Sequence, residues 1–271
     1  MELRNTYSVS SICRYLGLNR STFYYSPVIV DESELENYIK VVFKEGRGSY
    51  GRRKVKAVLQ NTHKIIASCR RVSRLMKGLN LVSDYGTPKK SYIVHETHSE
   101  ALPNLINGEF NDHKPNEVVV GDVTYLRLFG KWYYLCTLLD LCGRFVIGYS
   151  FDKHRNAELV QKSFHSIKGN LGNIGIFHYD LGSEANNKLI DNLVSAFGIK
   201  RSYSARGNPY DNAVIESWHN SFKREFFKRG KFIDLQDFTV KLADHIYWYN
   251  NVRVHSSLNY MTPNEWRNNA V

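Results

Sequence analysis

The apolar positions change period along the chain, and the changes mark out its organisation. Between residues 8 and 25, Val9, Ile12, Cys13 and Leu16 recur at helical spacing. Gly17 breaks the run, and Asn19 is placed to cap a second short helix whose first turn would hold Arg20, Ser21 and Thr22. Pro27 and the acidic stretch 31–36 separate this pair from a second helical unit, about 33–83. There Tyr50 leads into Val55, Val58 and Leu59, while Val72, Leu75 and Met76 share one face of a helix whose other face carries Arg71 and Arg74. From 84 to 115 the rhythm fails, with Gly86, Pro88, Pro103 and Gly108 as interruptions, and the segment reads as a linker.

Beyond Pro115 the period shortens to that of strands. Segments 117–128, 132–139 and 144–151 are rich in Val, Tyr and Leu, with a turn at 129–131. A helix (157–167), a strand (174–179), a helix (188–197), a strand (199–204) and a long helix (211–227) follow, then a last helical run from 235 to about 249. Three consecutive strands followed by alternating helices and strands imply an α/β fold with a mixed sheet flanked by helices. The expected domains are a helix-turn-helix-like segment (1–30), a basic helical DNA-binding domain (31–85), a linker (86–114), a mixed-sheet core (115–230) and a C-terminal helical region of that core (231–271).

Composition adds a partner. The chain is 42% hydrophobic, as folded proteins are, and carries a formal charge of +11. Thirteen basic residues between Lys44 and Lys90 face two acids, Glu45 and Asp84, so this block alone accounts for the whole excess. Such a block is the footprint of a polyanion, usually nucleic acid, or else a solvated helical face. Arg52, Arg53, Lys54, Arg71 and Arg74 are its candidate DNA contacts, with Arg20 in the front pair. The four cysteines form no CxxC pair and suggest no disulfide framework. No signal peptide and no apolar run of membrane-spanning length is evident, so a cytoplasmic protein without membrane partners is expected.

Three acids stand where this layout would gather them. Asp122 lies inside the first strand, between Val120 and Val123, where a charge is costly without a partner. Asp180 ends the fourth strand, with Gly182 allowing a sharp turn, and Glu216 sits on the long helix. Converging carboxylates hold hard cations, and two ions about 3.5–4 Å apart serve an in-line phosphoryl displacement. Asn212 precedes Glu216 by four residues and Lys223 follows it by seven, so both return to its helix face. Lys223 suits a DNA phosphate or is a plain surface lysine.

Asp180 and Glu216 are separated by 35 residues, and their flanks carry further marks. Asp122-Val-Thr-Tyr, His178-Tyr-Asp180-Leu-Gly182-Ser183, the run from Ser204 to Ala213 and Glu216-Ser217 resemble the DDE motif set of retrovirus-like integrases. Lys223, the run Tyr249-Asn250-Asn251-Val-Arg253-Val-His255-Ser-Ser-Leu258 and Thr262-Pro263 narrow the resemblance to OrfB transposases of the IS-three family of bacterial insertion sequences. The resemblance implies a ribonuclease-H-like core, Mg²⁺ or Mn²⁺ as a pair of ions, and cutting and joining of the element's own DNA ends through a circularised intermediate. Asp122, Asp180 and Glu216 would be the metal ligands, and Lys223, Asn212 and Arg253 would lie near DNA. The implied partners are the element's ends, target DNA, further copies of the chain, and an upstream-frame OrfA protein or its fusion to this frame. No zipper heptads are evident in the chain. It also departs from the family, which carries Trp near Val119, Thr near Gly121, Ser at Tyr179 and Tyr at Ala185. A flattened strand at Gly121 and a bulky Tyr179 beside a metal ligand would distort the site, but the three acids are all present and the enzyme reading stands.

Two other readings compete. A DNA-binding regulator with a silent core would have lost an acid, and none is lost. A hybrid or junction nuclease would share the core, but the basic helical units and the Arg253–His255 segment favour end joining. A zinc enzyme lacks its Cys/His quartet. His178 is either a packing residue or a support for the metal ligands, and His255 either a DNA contact or a helix cap.

Overall fold

The computed structural model describes residues 7–26, 31–85, 104–180, 184–204 and 212–270. Gly182, residues 205–211 of the glycine-containing run and the first part of the predicted linker lie outside them. The chain divides into two compact units, 1–37 and 38–271.

In the first unit, α1 (Val9–Leu16) begins at Ser8, whose side chain accepts from the Ser11 N–H, and ends at Gly17 in the left-handed region (φ 63°). α2 (Arg20–Tyr24) starts after Asn19, which holds the N-cap position without a capping hydrogen bond from its side chain. α3 (Ser33–Glu45) follows in the chain, with Glu34 and Glu36 in its first turn and Lys44 in its last, each suited to the helix dipole.

The second unit is built on one sheet of strand order β3-β2-β1-β4-β5. β1 (Val118–Leu128), β2 (Lys131–Asp140) and β3 (Phe145–Asp152) are antiparallel neighbours, whereas β4 (Ile176–Tyr179) and β5 (Lys200–Tyr203) run parallel to β1. This is the mixed sheet that the strand pattern predicts. α4 (Arg52–Asn61) and α5 (Cys69–Gly78) precede it in the chain and belong to the same unit. The alternation of β1 sorts its side chains between two cores. Val118, Val120, Leu126 and Leu128 pack with Ile215, Trp218 and Phe222 of α8 (Ala213–Phe222) and Phe238, Leu242 and Ile246 of α9 (Leu235–Asn251). Val119 packs with α6 (Ala157–His165) and α7 (Lys188–Ala196) on the other face. Residues of even number in β1 therefore look towards α8, and Asp122 is one of them.

Two predicted elements differ. The long helix is interrupted: after Phe222 the chain makes a π-helical turn, Lys223–Phe227. A π-turn adds a residue to the ring of each hydrogen bond, so helix-face arithmetic carried from Glu216 to Lys223 loses its footing there. The described end of the predicted linker, 104–115, forms no helix or strand but is no free tether. Ile106 is buried in the core, and the Leu105 N–H donates to Ser202 Oγ at 2.9 Å.

Contacts with the C-terminal segment explain why the basic helices and the sheet form one unit. Tyr50 donates to the Val252 carbonyl and accepts from the Val254 N–H, and Trp248 Nε1 donates to the Glu45 carbonyl at 2.8 Å. The C-terminal region ends in α10 (Pro263–Asn269), opened by a capping box between Thr262 and Glu265. No described helix is long and apolar enough to cross a membrane.

His245 of α9 is 2% exposed and lies against the rings of Phe226, Phe222 and Trp248. Burial, outweighing the nearby Glu225 charge, pushes its pKa down to about 4. The unfolded chain then takes up this proton first, so stability is lost as pH falls from 6.5 towards 4. A shift of this size is worth on the order of 3 kcal/mol. Asp140, raised by burial to about 6, acts with the opposite sign, so the test must compare variants at the one position. Urea unfolding of His245→Phe should show a smaller loss between pH 7 and pH 4.5 than the unaltered chain. An equal loss would remove His245 from the account.

Candidate active site

Asp122 sits mid-strand on the α8 face, with its side chain 20% exposed. One oxygen accepts from the Val123 N–H at 2.7 Å and the other from His219 Nδ1 at 3.1 Å. His219 stands three residues after Glu216 on α8, hence on the same face. The second ring nitrogen, Nε2, is buried without a hydrogen-bond partner among the described residues. Glu216 lies at the solvent edge of the helix. Partial burial first, then the like charge of Asp122, raise its carboxyl above its ordinary range, while His219 opposes the shift. β1 and α8 thus bring two of the predicted acids into electrostatic contact.

Asp180 follows β4 immediately. The parallel β1–β4 ladder ends with Val120 beside His178. Two more residues of that register would set Asp180 level with Asp122. Both acids act on the Tyr179 hydroxyl, and Asp180 also acts on Arg155. Among the described residues no group of three His, Cys, Asp or Glu side chains is gathered closely enough to hold a metal ion. The donor chemistry nonetheless fits a hard divalent cation. The acids are oxygen donors whose mutual repulsion a cation relieves, and Mg²⁺ needs only one or two carboxylates besides phosphate and water. Around them the buried atoms Thr137 Oγ1, on the residue paired with Asp122 across β2, and Asn212 Oδ1 also lack partners among the described residues.

The comparisons with known proteins agree with this geometry. An integrase core domain model matches residues 112–209, a second integrase core domain model matches 197–263, and an HTH-like domain model matches 30–89. The transposase for insertion sequence element IS904 of Lactococcus lactis subsp. lactis (strain IL1403) is 32% identical over 240 residues, covering 88% of this chain and 94% of that protein. The putative transposase InsK for insertion sequence element IS150 of Escherichia coli (strain K12) is 30% identical over 273 residues, covering 98% and 96%. The transposase InsF for insertion sequence IS3A of the same organism is 26% identical over 283 residues, covering 97% and 94%. The chain belongs to this family of insertion-sequence transposases. Its core has the ribonuclease-H-like strand order implied by the integrase resemblance, and the HTH-like match at 30–89 takes in most of the basic block.

The other expected contacts of this transposase divide. Arg52 and Arg53 are exposed at the start of α4, Arg74 is exposed on α5 with Arg71 half-buried, and Arg20 is exposed at the start of α2. Lys54 turns inward instead, its ammonium 5.3 Å from the centre of the Tyr50 ring. Lys223 lies 4.7 Å from the centre of the exposed Tyr125 ring. Asn212 is buried at the start of α8. Arg253 is an interior residue rather than an open surface cation: it is 5% exposed and forks onto Glu225 through Nε (2.7 Å) and Nη2 (2.6 Å). Its Nη1 donates to the buried His255 ring, so His255 is an interior residue as well. His178 is fully buried, bridging Ser202 Oγ (2.8 Å) and Ser204 Oγ (3.0 Å).

Sequence reasoning missed His219, although its three-residue spacing from Glu216 was visible. It also missed Arg155, whose pairing with the buried Glu184 at 2.5 Å joins residues 29 apart and leaves no local signal.

Gly121 and Tyr179 pack directly against each other. A Cβ on Gly121 would lie 2.8 Å from the Tyr179 ring and 2.9 Å from Phe177. Tyr179 is fully buried in the α6–α7 core with Val119 and Ala185, so the small residue on β1 makes room for the large one on β4. Gly121→Thr should cost about 1–3 kcal/mol by overpacking. Adding Tyr179→Ser should recover part of that loss, giving a non-additive double-mutant cycle in urea unfolding. Strict additivity would show that the two residues are independent.

Proposed function

We propose that this transposase cuts and joins the DNA ends of its insertion sequence by metal-dependent phosphoryl transfer, with Asp122, Asp180 and Glu216 as ligands of a pair of Mg²⁺ or Mn²⁺ ions. The observation that carries the reading is the convergence of Asp122 and Glu216, from β1 and α8, into one electrostatically coupled pair. The bound ions would supply an activated attacking oxygen and a stabilised leaving oxygen in an in-line displacement.

The chain's own residues do the rest. His219 and the Val123 N–H hold the Asp122 carboxylate in one orientation, leaving it no freedom to swing away from the sheet. Glu216, at the solvent edge of α8, is open to the face from which a DNA strand would arrive. Lys223 beside Tyr125 offers a cation and an aromatic ring to the same strand. Arg52 and Arg53, exposed on α4 in the HTH-like domain, would hold duplex DNA through its phosphates. The element's ends, target DNA and further copies of the chain are the partners this reading requires, with OrfA as a companion.

Purified chain with Mn²⁺ should join a 3′ end of its element's DNA to a target duplex, and Asp180→Asn, Asp122→Asn and Glu216→Gln should each abolish joining while keeping DNA binding. Retained strand transfer in Asp180→Asn would falsify the assignment. Charge reversal of the exposed pair, Arg52→Glu with Arg53→Glu, should weaken duplex binding and flatten its salt dependence by about 0.9 for each phosphate that is no longer neutralised. An unchanged slope in a binding titration would return this pair to plain solvated surface.

A further inference from the structure

A polar cavity of about 170 Å³ opens between the HTH-like domain, α8 and the C-terminal segment. Lys54 of α4, Arg144 of the β2–β3 connection and Arg253 contribute three cations, and Ser217, Ser256 and Ser257 contribute hydroxyls. We propose that this cavity is a binding site for one phosphate group, filled by a backbone phosphate of bound DNA or by the free oxyanion.

The charges do not close among themselves. Arg253 is committed to Glu225, which leaves Lys54 and Arg144 without an ion-pair partner among the described residues. The three serine hydroxyls likewise make no hydrogen bond among those residues. Trp218 also lines the cavity, and its indole N–H is buried without an acceptor among them. The cavity thus offers charged and neutral donors and no uncommitted carboxylate, which is the complement of a tetrahedral oxyanion. The cavity has ample room for that ligand together with water, since one water needs only roughly 10–15 Å³ of such volume. Burial, followed by the charge of Arg253, lowers the Lys54 ammonium to about 7, and Glu225 only partly opposes this. A bound anion would supply the missing counter-charge.

The site is distinct from the carboxylates but joined to them. Ser217 and Trp218 directly follow Glu216 on α8, so a phosphate seated here would fix the helix that carries Glu216. If the occupant is DNA, the HTH-like domain and the catalytic helix would share one phosphate, an arrangement that rests on the proposed function. The anion site itself does not.

The experiment uses the full chain and inorganic phosphate, titrated calorimetrically against chloride at matched ionic strength. The unaltered chain should bind phosphate in preference to chloride. Lys54→Met and Arg144→Gln should each weaken that binding by about tenfold, the effect of one charged hydrogen bond. Ser256→Ala with Ser257→Ala, both exposed positions, provides a variant that keeps the charges, and it should weaken binding less. No preference for phosphate, or Lys54→Met and Arg144→Gln variants that fold and bind like the unaltered chain, would overturn the proposal.

Duplex titrations then distinguish the sources. A salt slope lower by about 0.9 in Arg144→Gln, with phosphate competing against DNA, assigns the cavity to a backbone phosphate. Weakened phosphate binding with an unchanged slope assigns it to the free oxyanion. Asp180→Asn should bind phosphate normally, so failure of the strand-transfer assignment and failure of this site are read separately.

Discussion

A carboxylate in the central strand of a sheet has to be answered, and the answer to Asp122 organises this molecule. β1 is the central strand, antiparallel with β2 along its whole length, Asp122 included, and parallel with β4 up to Val120. Its alternation is committed to burying Val118, Val120, Leu126 and Leu128 under α8 and α9. Shifting the register to expose the acid would turn that apolar row into the opposite core. The charge is therefore held on the α8 face, and α8 meets it with His219 rather than with an arginine or lysine. Glu216 adds a second negative group to the same place. A fold seeking only stability would gain nothing from that repulsion. On the proposed function, a bound cation would relieve it.

The attachment of the basic helices rests on a second buried charge. Glu225 and Arg253 are both nearly inaccessible, and Tyr85 donates to the same carboxylate that receives the Arg253 fork. A buried pair of this kind is weak evidence of stability, because desolvation offsets much of the attraction. Its geometric demand is strong, since either charge alone would be costly. Tyr85 closes the described helical region, Glu225 lies in the π-turn after α8, and Arg253 follows α9, so one ion pair fixes three segments against each other. The π-turn has a purpose in this light, because it turns Glu225 inward between Phe222 and Phe226.

The strands were legible because period-two alternation and Val-rich runs are local, and each observed strand falls within two residues of its predicted ends. Asp122 and Glu216 stood out through their flanks, and the structure brings these two into coulombic interaction. His219 was not, because a histidine on an apolar helix face says nothing until a strand 97 residues away supplies Asp122. The inward turn of Lys54 was equally hidden. In sequence it is one of three consecutive basic residues, and only the helix phase set by buried Val55, Val58 and Leu59 separates it from Arg52 and Arg53. Arg253 looked like a surface contact because its partner, Glu225, belongs to a turn that departs from helical arithmetic.

The departures from the family pattern carry a general lesson about substitution at a site. Taken singly, a glycine in a central strand weakens it, and a tyrosine beside a metal ligand crowds it. Together, Gly121 and Tyr179 fill one shared volume, and Ala185 lies in the same cluster. All of this adjustment takes place on the α6–α7 face. Asp122, one residue further along β1, points to the other face, where it hydrogen-bonds His219 and repels the Glu216 carboxylate. The alternation of a strand thus separates the acid from the packing of the opposite core, so a substitution at Gly121 or Tyr179 acts on that core and not directly on the face of Asp122.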